Sequence, residues 1–269
     1  MTLLPAQNGS LTIVGTGIKL ISHLTLEARV CIEKAEKVLF LLADAAADIW
    51  IKRLNINSES LYDCYIHGEP RNYAYDRMVE RILSYVRKVL NVCVVFYGHP
   101  GVFVDPAHES ISRARMEGFS ACMLPGISAE DCLFAELGID PAENGCQSFE
   151  ATDFLVYKRK FDNRSSLILW QIGVIGDPTF NRNGYKNSPL TILYNVLKQH
   201  YPSDHEVTIY EASPYSICDS IIQRIPLKKM PEAVVSAPSE RSFRDKVMLD
   251  QLQKIIKEYA AGVIKSHFV

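Results

Sequence analysis

Nowhere in this chain does an apolar run reach the about 18 residues that a membrane-crossing helix needs. The longest candidate, 38–51, is broken by Asp44 and Asp48 and reads as a buried strand followed by a helix, so no membrane partner is expected. The first nine residues, Met1-Thr2-Leu3-Leu4-Pro5-Ala6-Gln7-Asn8-Gly9, lack the basic and continuous apolar segments of a secretion signal, and export is not expected either. Positive charge is not in excess: 29 Lys and Arg stand against 31 Asp and Glu, a formal net charge of −2. Such a chain has no global positive field to hold a phosphate backbone, which argues against nucleic acid as a partner. The seven cysteines (Cys31, Cys64, Cys93, Cys122, Cys132, Cys146 and Cys218) contain no Cys-x-x-Cys pair, and the seven histidines show no His-Glu-x-x-His spacing. A disulfide framework and a metal site are therefore not expected, and the thiols read as reduced in a cytoplasm. Internal repeats, heptad arrays and low-complexity tracts are missing as well.

What is present is the composition of an ordinary folded protein: 269 residues, 48% hydrophobic and 22% charged, enough for one large domain or two modest ones. Leu11 to Val14 is a short apolar run closed by Gly15-Thr16-Gly17; Leu24 to Ala35 recurs near a helical period, and Val38 to Leu42 is apolar again, a strand–helix–strand unit. From Arg71 to Leu90 the positions Tyr75, Met78, Val79, Ile82, Leu83, Val86 and Leu90 predict a long amphipathic helix, with Val92 to Tyr97 the buried strand after it. Pro106 to Met116 reads as a helix, Phe119 to Leu124 as a strand, and Ser128 to Leu137 as a helix closed by Gly138. Asp140 to Glu150 reads as a connection. Beyond it, strands are expected at Leu167 to Ile172, Glu206 to Tyr210 and Ala233 to Ser236, and helices at Leu190 to Gln199, Ile217 to Arg224 and Arg244 to Ala261. The expected architecture is α/β, two lobes over residues 1–125 and 126–269 with a cleft between them.

Three glycine-punctuated loops and one polar cluster carry the chemistry. Gly15-Thr16-Gly17 sits where a strand hands over to a helix, where glycines let a ligand approach the backbone; without the third glycine of a dinucleotide fingerprint, a plain tight turn is an equal reading. Tyr97-Gly98-His99-Pro100-Gly101-Val102-Phe103 follows a buried strand at the carboxyl edge where open α/β sheets bind ligands, or is a structural loop. Leu124-Pro125-Gly126-Ile127-Ser128-Ala129 repeats that geometry, although Ser128 with Asp131 forms a helix cap that needs no ligand. Tyr62, Tyr65, Arg71 and Tyr75 lie on a loop leading into a helix, with Arg71 and Tyr75 on one helical face. A guanidinium favours an ionised phenol nearby, so this set could supply a base and an anion stabiliser without a carboxylate. Alternatively, Tyr75 heads the Met78, Ile82, Val86 stripe and belongs to the core. Lys158-Arg159-Lys160 with Arg164 reads as a solvated loop, and Trp170 with Gln171 either lines a cleft or completes the core.

On these residues the sequence resembles the tetrapyrrole methylase superfamily: Val14-Gly15-Thr16-Gly17, the run from Tyr97 to Phe103 and that from Leu124 to Ala129 are similar to its three signature loops, in order. Within it, the Tyr62, Tyr65, Arg71, Tyr75 series and the run Trp170-Gln171-Ile172-Gly173-Val174-Ile175-Gly176 resemble the borosin peptide backbone α-N-methyltransferases. The resemblance implies that S-adenosylmethionine is folded between the lobes and leaves as S-adenosylhomocysteine. Gly15, Gly17, Tyr97, His99, Val102, Phe103, Ser128, Ala129, Gln171, Tyr210, Ser236 and Ala237 then fall on cofactor positions, and Tyr62, Tyr65, Arg71 and Tyr75 on catalytic ones. It also implies a homodimer, in some arrangements a 2:2 complex with the acceptor. Fungal members are fused to their own substrate, whereas only Gly262 to Val269 follows the last expected helix here, so a separate precursor peptide, methylated iteratively, is the expected acceptor. The alternatives are a tetrapyrrole (precorrin-like) or diphthine-type methyltransferase, and a peptide-binding protein without chemistry.

Overall fold

The computed structural model describes residues 9–42, 45–181, 190–233 and 235. Its first half alternates β1 (Ser10–Gly15), α1 (Leu26–Lys34), β2 (Lys37–Leu41), α2 (Ala45–Leu54), β3 (Ser58–Ser60), α3 (Arg71–Val86), β4 (Asn91–Phe96), α4 (Asp105–Met116) and β5 (Ser120–Met123). The five strands form one parallel sheet in the order β3-β2-β4-β1-β5. Strand side chains alternate between faces, and the sequence is apolar on both. Leu11, Ile13, Leu39, Val92, Val94 and Phe96 face α3 and α4, whereas Val14, Val38, Phe40, Cys93 and Val95 face α1 and α2. Two cores, one on each face, explain why the central strands read as continuous apolar runs. Helix starts are set locally: Thr25 accepts from the Ala28 N–H at α1, and Pro106 occupies the first turn of α4.

The second half contains α5 (Ala129–Leu137), α6 (Pro141–Asn144), β6 (Cys146–Glu150), α7 (Ala151–Val156), β7 (Ser166–Trp170), α8 (Leu190–Leu197), β8 (Glu206–Glu211) and β9 (Ile221–Pro226). β6 pairs β7 in parallel and β8 pairs β9 antiparallel around a third core that includes Phe154, Leu190, Leu193, Leu197 and Leu227. Three sequence expectations are corrected here. Asp140 to Glu150 is not a plain connection: Gly145, at φ +75°, ends the short helix α6 and releases β6, whose five residues pair with β7. Ile217 to Arg224 is not a helix, because the β-branched Ile221, Ile222 and Ile225 lie in β9 and six residues pair with β8. Ala233 and Val235 are in no strand, since the chain reaches them from a 3₁₀ segment, Leu227–Glu232, that contains Pro231. The helix from Arg71 ends at Val86, short of Leu90, with Val89 in the left-handed region at φ +65°. The helix expected at Arg244 to Ala261 lies outside the described residues.

Candidate functional site

In a parallel sheet every strand ends at the same edge, and the loops that leave that edge form the ligand crevice. The Gly15 turn leaves β1, the Tyr97 loop leaves β4 and the Gly126 loop leaves β5, so the three glycine loops leave strands adjacent in the sheet. Tyr62 leaves β3, two strand spacings from β4, or about 10 Å along the sheet. Topology therefore brings the expected cofactor loops and the expected catalytic loop to one edge.

The glycines bring the loops against one another. Gly17 and Gly98 exchange backbone hydrogen bonds, 3.2 Å from Gly17 N to Gly98 O and 3.1 Å in the reverse direction. A Cβ on Gly15 would lie 2.1 Å from the Gly98 carbonyl oxygen, and one on Gly126 would lie 3.0 Å from the same atom. The loops thus approach each other, and the glycines seal them into a cradle. Beyond it, Tyr97, Val102 and Phe103 leave 46%, 40% and 48% of their surface open, in the loop after a strand buried from Val92 to Phe96. Phe103 also takes a left-handed φ of +55°, a cost that persists where surrounding structure enforces it, often at ligand clamps. Although nearly half of the Tyr97 surface is open, desolvation around its phenol raises the pKa above the ordinary range, with Cys132 and Glu211 adding to the shift. The His99 Nδ1 accepts from the Gly101 N–H at 2.9 Å, which holds the loop closed. Ser128 is both a helix cap and a buried group, paired reciprocally with Asp131. Apolar surface left open beside polar backbone groups is the kind of lining that small-molecule sites offer.

The polar cluster is assembled as a compact aromatic group. Tyr62 begins a 3₁₀ turn, Tyr62–Cys64, and meets Tyr65 edge-on at 5.9 Å; Tyr65 meets Tyr75 edge-on at 6.4 Å. Tyr65 and Tyr75 also pack against the core beneath α3, so the core reading of Tyr75 holds together with its place in the cluster. Arg71 is the first residue of α3. Its Nη2 donates to the Asp177 carbonyl at 2.6 Å and its Nε to the Pro178 carbonyl at 3.4 Å. The other arginines of α3 are held by carboxylates: Arg77 on Glu69, Arg81 on Asp63 and Glu59. Arg71 instead donates to backbone carbonyls, while the Asp177 carboxylate, close enough for the Arg71 charge to help lower its pKa, is hydrogen-bonded to Thr179.

Sequence reasoning missed the second half's contribution. Phe180 stacks on Tyr65 at 4.5 Å and meets Tyr62 edge-on at 5.9 Å. It also missed a latch between halves: the Leu20 N–H donates to Pro214, Ser22 and Ser216 share a 2.6 Å hydroxyl contact, and Lys19 pairs with Glu136, which accepts from Tyr210. Ile21, at φ +69° on that loop, carries no sequence signal, because a β-branched residue is the last expected in a left-handed turn. Gln171 takes φ +60° directly after β7 and is exposed. The Trp170 indole N–H donates to Ser148 rather than pointing unpartnered into a cleft. Lys158, Arg159, Lys160 and Arg164 are exposed, as their solvated reading requires. Ala129 begins α5 beside Ser128, and Ser236 and Ala237 lie outside the described residues.

An open parallel sheet with three glycine loops at its carboxyl edge is joined here to a mixed second half. Residues 10–228 match the model of the tetrapyrrole (corrin/porphyrin) methylases, and the chain belongs to that family. Among solved structures it resembles the uroporphyrin-III C-methyltransferase of Thermus thermophilus, with TM-score 0.59 and 16% identity over 97% of this chain and 99% of that one. It also resembles a cobalt precorrin-4 methyltransferase, with TM-score 0.55 and 15% identity over 86% and 91% of the two chains. At these identities the likeness is one of fold.

In sequence it is similar to proteins of a particular kind. It is 44% identical over 228 residues to the methyltransferase/ribosomally synthesized cyclic peptide dendrothelin A precursor of Dendrothele bispora, covering 85% of this chain and 55% of that protein. It is 42% identical over 228 residues to the omphalotin A counterpart of Omphalotus olearius, with the same coverage. A type III borosin precursor of Anomoporia bombycina is 44% identical over 84% of this chain and 26% of its own length. The chain thus spans about half the length of the first two relatives and about a quarter of the third.

Proposed function

We propose that this protein is an S-adenosylmethionine-dependent methyltransferase acting on backbone amide nitrogens of a ribosomally made peptide. The observation that carries this is the anchoring of Arg71: its guanidinium is held by the carbonyl oxygens of Asp177 and Pro178, on the strap whose Phe180 packs on Tyr62 and Tyr65, near the sheet edge that the glycine loops leave. The relatives whose names join a methyltransferase to a peptide precursor support the peptide as acceptor.

A backbone amide nitrogen is a poor nucleophile because its lone pair is delocalised into the carbonyl. Its proton must be removed, and negative charge that develops on the carbonyl oxygen must be stabilised. We assign proton removal to Tyr75 acting as a phenolate, which becomes the neutral phenol, and oxyanion stabilisation to Arg71, with Tyr62 and Tyr65 orienting the amide plane. An arginine has five N–H donors; two are spent on Asp177 and Pro178, and three remain for the acceptor among the contacts of the described residues. When bound, S-adenosylmethionine supplies an electrophilic methyl group on sulfur. The loops at 15–17, 97–103 and 128–129, with Gln171 and Tyr210, would hold it. Residues 1–125 and 126–269 form the two lobes in this reading, and the cleft between them excludes water and strengthens each electrostatic interaction. The acceptor is an extended, separate precursor that slides through and is methylated iteratively. We place the enzyme in the cytoplasm as a homodimer, in keeping with its seven free thiols.

The test is incubation with S-adenosylmethionine and candidate precursor peptides, followed by tandem mass spectrometry. Mass gains on backbone nitrogens are expected. Arg71→Ala removes a charged oxyanion donor and should lower turnover about 10²- to 10³-fold, and Tyr75→Phe should do likewise, both with cofactor affinity retained. Methylation confined to side chains or termini, wild-type turnover in both variants, or transfer to a tetrapyrrole in preference to any peptide would refute it.

A further inference from the structure

The functional reading places chemistry on the Tyr62–Tyr75 segment but leaves open what holds that segment still. We propose that the strap Asp177–Phe180 is the positioning device of the catalytic loop, with Phe180 fixing the tyrosines and the Asp177 turn aiming Arg71; this rests on the function proposed above.

Helix α3 starts without a side-chain cap, because its N-cap position is Pro70. The first N–H groups of a helix need partners from elsewhere, and the Arg71 N–H finds the Pro178 carbonyl at 2.8 Å. The same carbonyl accepts from Arg71 Nε, and the preceding one, of Asp177, from Nη2. One turn of the second half therefore caps the helix and orients its first side chain together. The Asp177 carboxylate shapes that turn by accepting from the Thr179 N–H at 2.8 Å and its hydroxyl at 2.6 Å. On either side, the Gly68 N–H donates to Phe180 O at 2.9 Å, the Phe180 N–H donates to Glu69 O at 2.8 Å, and Pro70 bridges Thr179. The Phe180 ring is 9% exposed and lies against Tyr65 with 21° between the planes.

The chemistry explains the choice of ligands. A carboxylate in place of the two carbonyls would hold Arg71 equally well but would offset its charge and weaken its field at an acceptor oxyanion. Carbonyl dipoles orient the guanidinium, and the Asp177 carboxylate, whose pKa is lowered by its Thr179 hydrogen bonds and further by the Arg71 charge, is spent on shaping the turn rather than on a direct hydrogen bond to the guanidinium among the described contacts. The aromatic stack fixes the planes of the rings it touches.

The experiment compares Asp177→Ala, Asp177→Asn and Phe180→Leu in the full-length protein. Asparagine keeps an oxygen that can accept from Thr179, alanine does not, and leucine keeps apolar bulk but loses the stack. Two readouts are taken: hydrogen–deuterium exchange of the Gly68 and Arg71 amides, and steady-state methylation of a peptide accepted by the wild type. Asp177→Ala should raise exchange at both amides at least tenfold and leave the interior of α3 protected. It should lower kcat at least tenfold, change KM for the peptide less than threefold and leave S-adenosylmethionine affinity intact. Asp177→Asn should stay within threefold of the wild type in both readouts. Phe180→Leu should lower kcat at least tenfold with intact cofactor affinity.

Unchanged exchange in Asp177→Ala overturns the proposal, as does faster exchange with unchanged kcat, equal loss in the alanine and asparagine variants, or a loss confined to KM. Wild-type kcat in Phe180→Leu overturns the aromatic half. If the wild-type protein methylates no peptide, or Arg71→Ala is fully active, the functional reading itself fails and the proposal falls with it. The exchange data separate the two failures, because they report the strap without any turnover.

Discussion

Replacing Gly15 by alanine tests the cradle most directly. Its Cβ would stand 2.1 Å from the Gly98 carbonyl oxygen and 2.8 Å from Pro100 Cδ, where an unstrained carbon contact lies near 3.5–4.0 Å. Both obstacles belong to backbone or to a rigid ring, so the loops themselves must separate. Separation strains or breaks the two Gly17–Gly98 hydrogen bonds. Overpacking costs about 1–3 kcal/mol and each lost hydrogen bond about 0.5–1.5 kcal/mol, so a destabilisation of about 4 kcal/mol is expected. For a protein of this size that corresponds to a Tm lower by about 8–16 °C. Gly138→Ala is the control: φ is +66° there, but nothing lies within 4 Å of the added carbon, so only the left-handed strain of about 1–2 kcal/mol applies. Differential scanning fluorimetry measures both, and isothermal titration with S-adenosylmethionine should show affinity reduced at least tenfold in Gly15→Ala alone. A Gly15→Ala protein that melts within 2 °C of the wild type, or a control that falls as far, would show that the loops do not pack as described.

The remaining predictions are shorter. Asn55, 8% exposed, donates to the carbonyls of Ile32 and Ala35 and accepts from the Asn57 N–H; Asn55→Ala should cost about 2–4 kcal/mol in chemical denaturation with kcat per folded molecule unchanged. Burial raises the Glu136 pKa, but hydrogen bonds from Ser220, Tyr210 and Lys19 outweigh it, so the net shift is downward from 4.5. A lowered folded-state value stabilises the fold above the ordinary carboxylate range, and that contribution is lost as pH falls through the folded value. Stability of the wild type should thus drop below about pH 4.5 more steeply than that of Glu136→Gln, as read by urea midpoints across pH. Arg87 bridges Glu80 and Glu117 on the surface, and Arg87→Ala should change stability by less than about 1 kcal/mol; a larger loss would mean that this pair is not solvent-screened.

The first half of the fold was legible because its strands are apolar on both faces and its helices carry local start and stop signals. Pro106 in the first half, and Ser128 and Gly138 at α5 just beyond it, each act within four residues of where they sit, which is the range a sequence pattern reports. The strand β3, Ser58-Glu59-Ser60, escaped because it has no apolar residue and exists by pairing with β2. β6 and β9 escaped for the same reason in a different form. Each is half-exposed and becomes a strand through its partner, and in β9 the spacing of isoleucines satisfies a helical period as well as a strand one.

The site divides along the same line. Tyr62, Tyr65, Arg71 and Tyr75 could be singled out because they lie within fourteen residues of one another and carry distinctive side chains. Their supports could not. Arg71 is anchored 106 positions away, and by carbonyl oxygens, which every residue possesses and no composition distinguishes. Phe180 is an apolar residue in a sequence with eleven phenylalanines, and only its stack on Tyr65 separates it from the others. The guanidinium of Arg71 is oriented by backbone carbonyls, acceptors that every residue supplies. The features that ready such a group for stabilising an oxyanion are therefore the ones a one-dimensional pattern carries least, which is why the residues proposed for the chemistry were visible first and the strap that aims them emerged only with the fold.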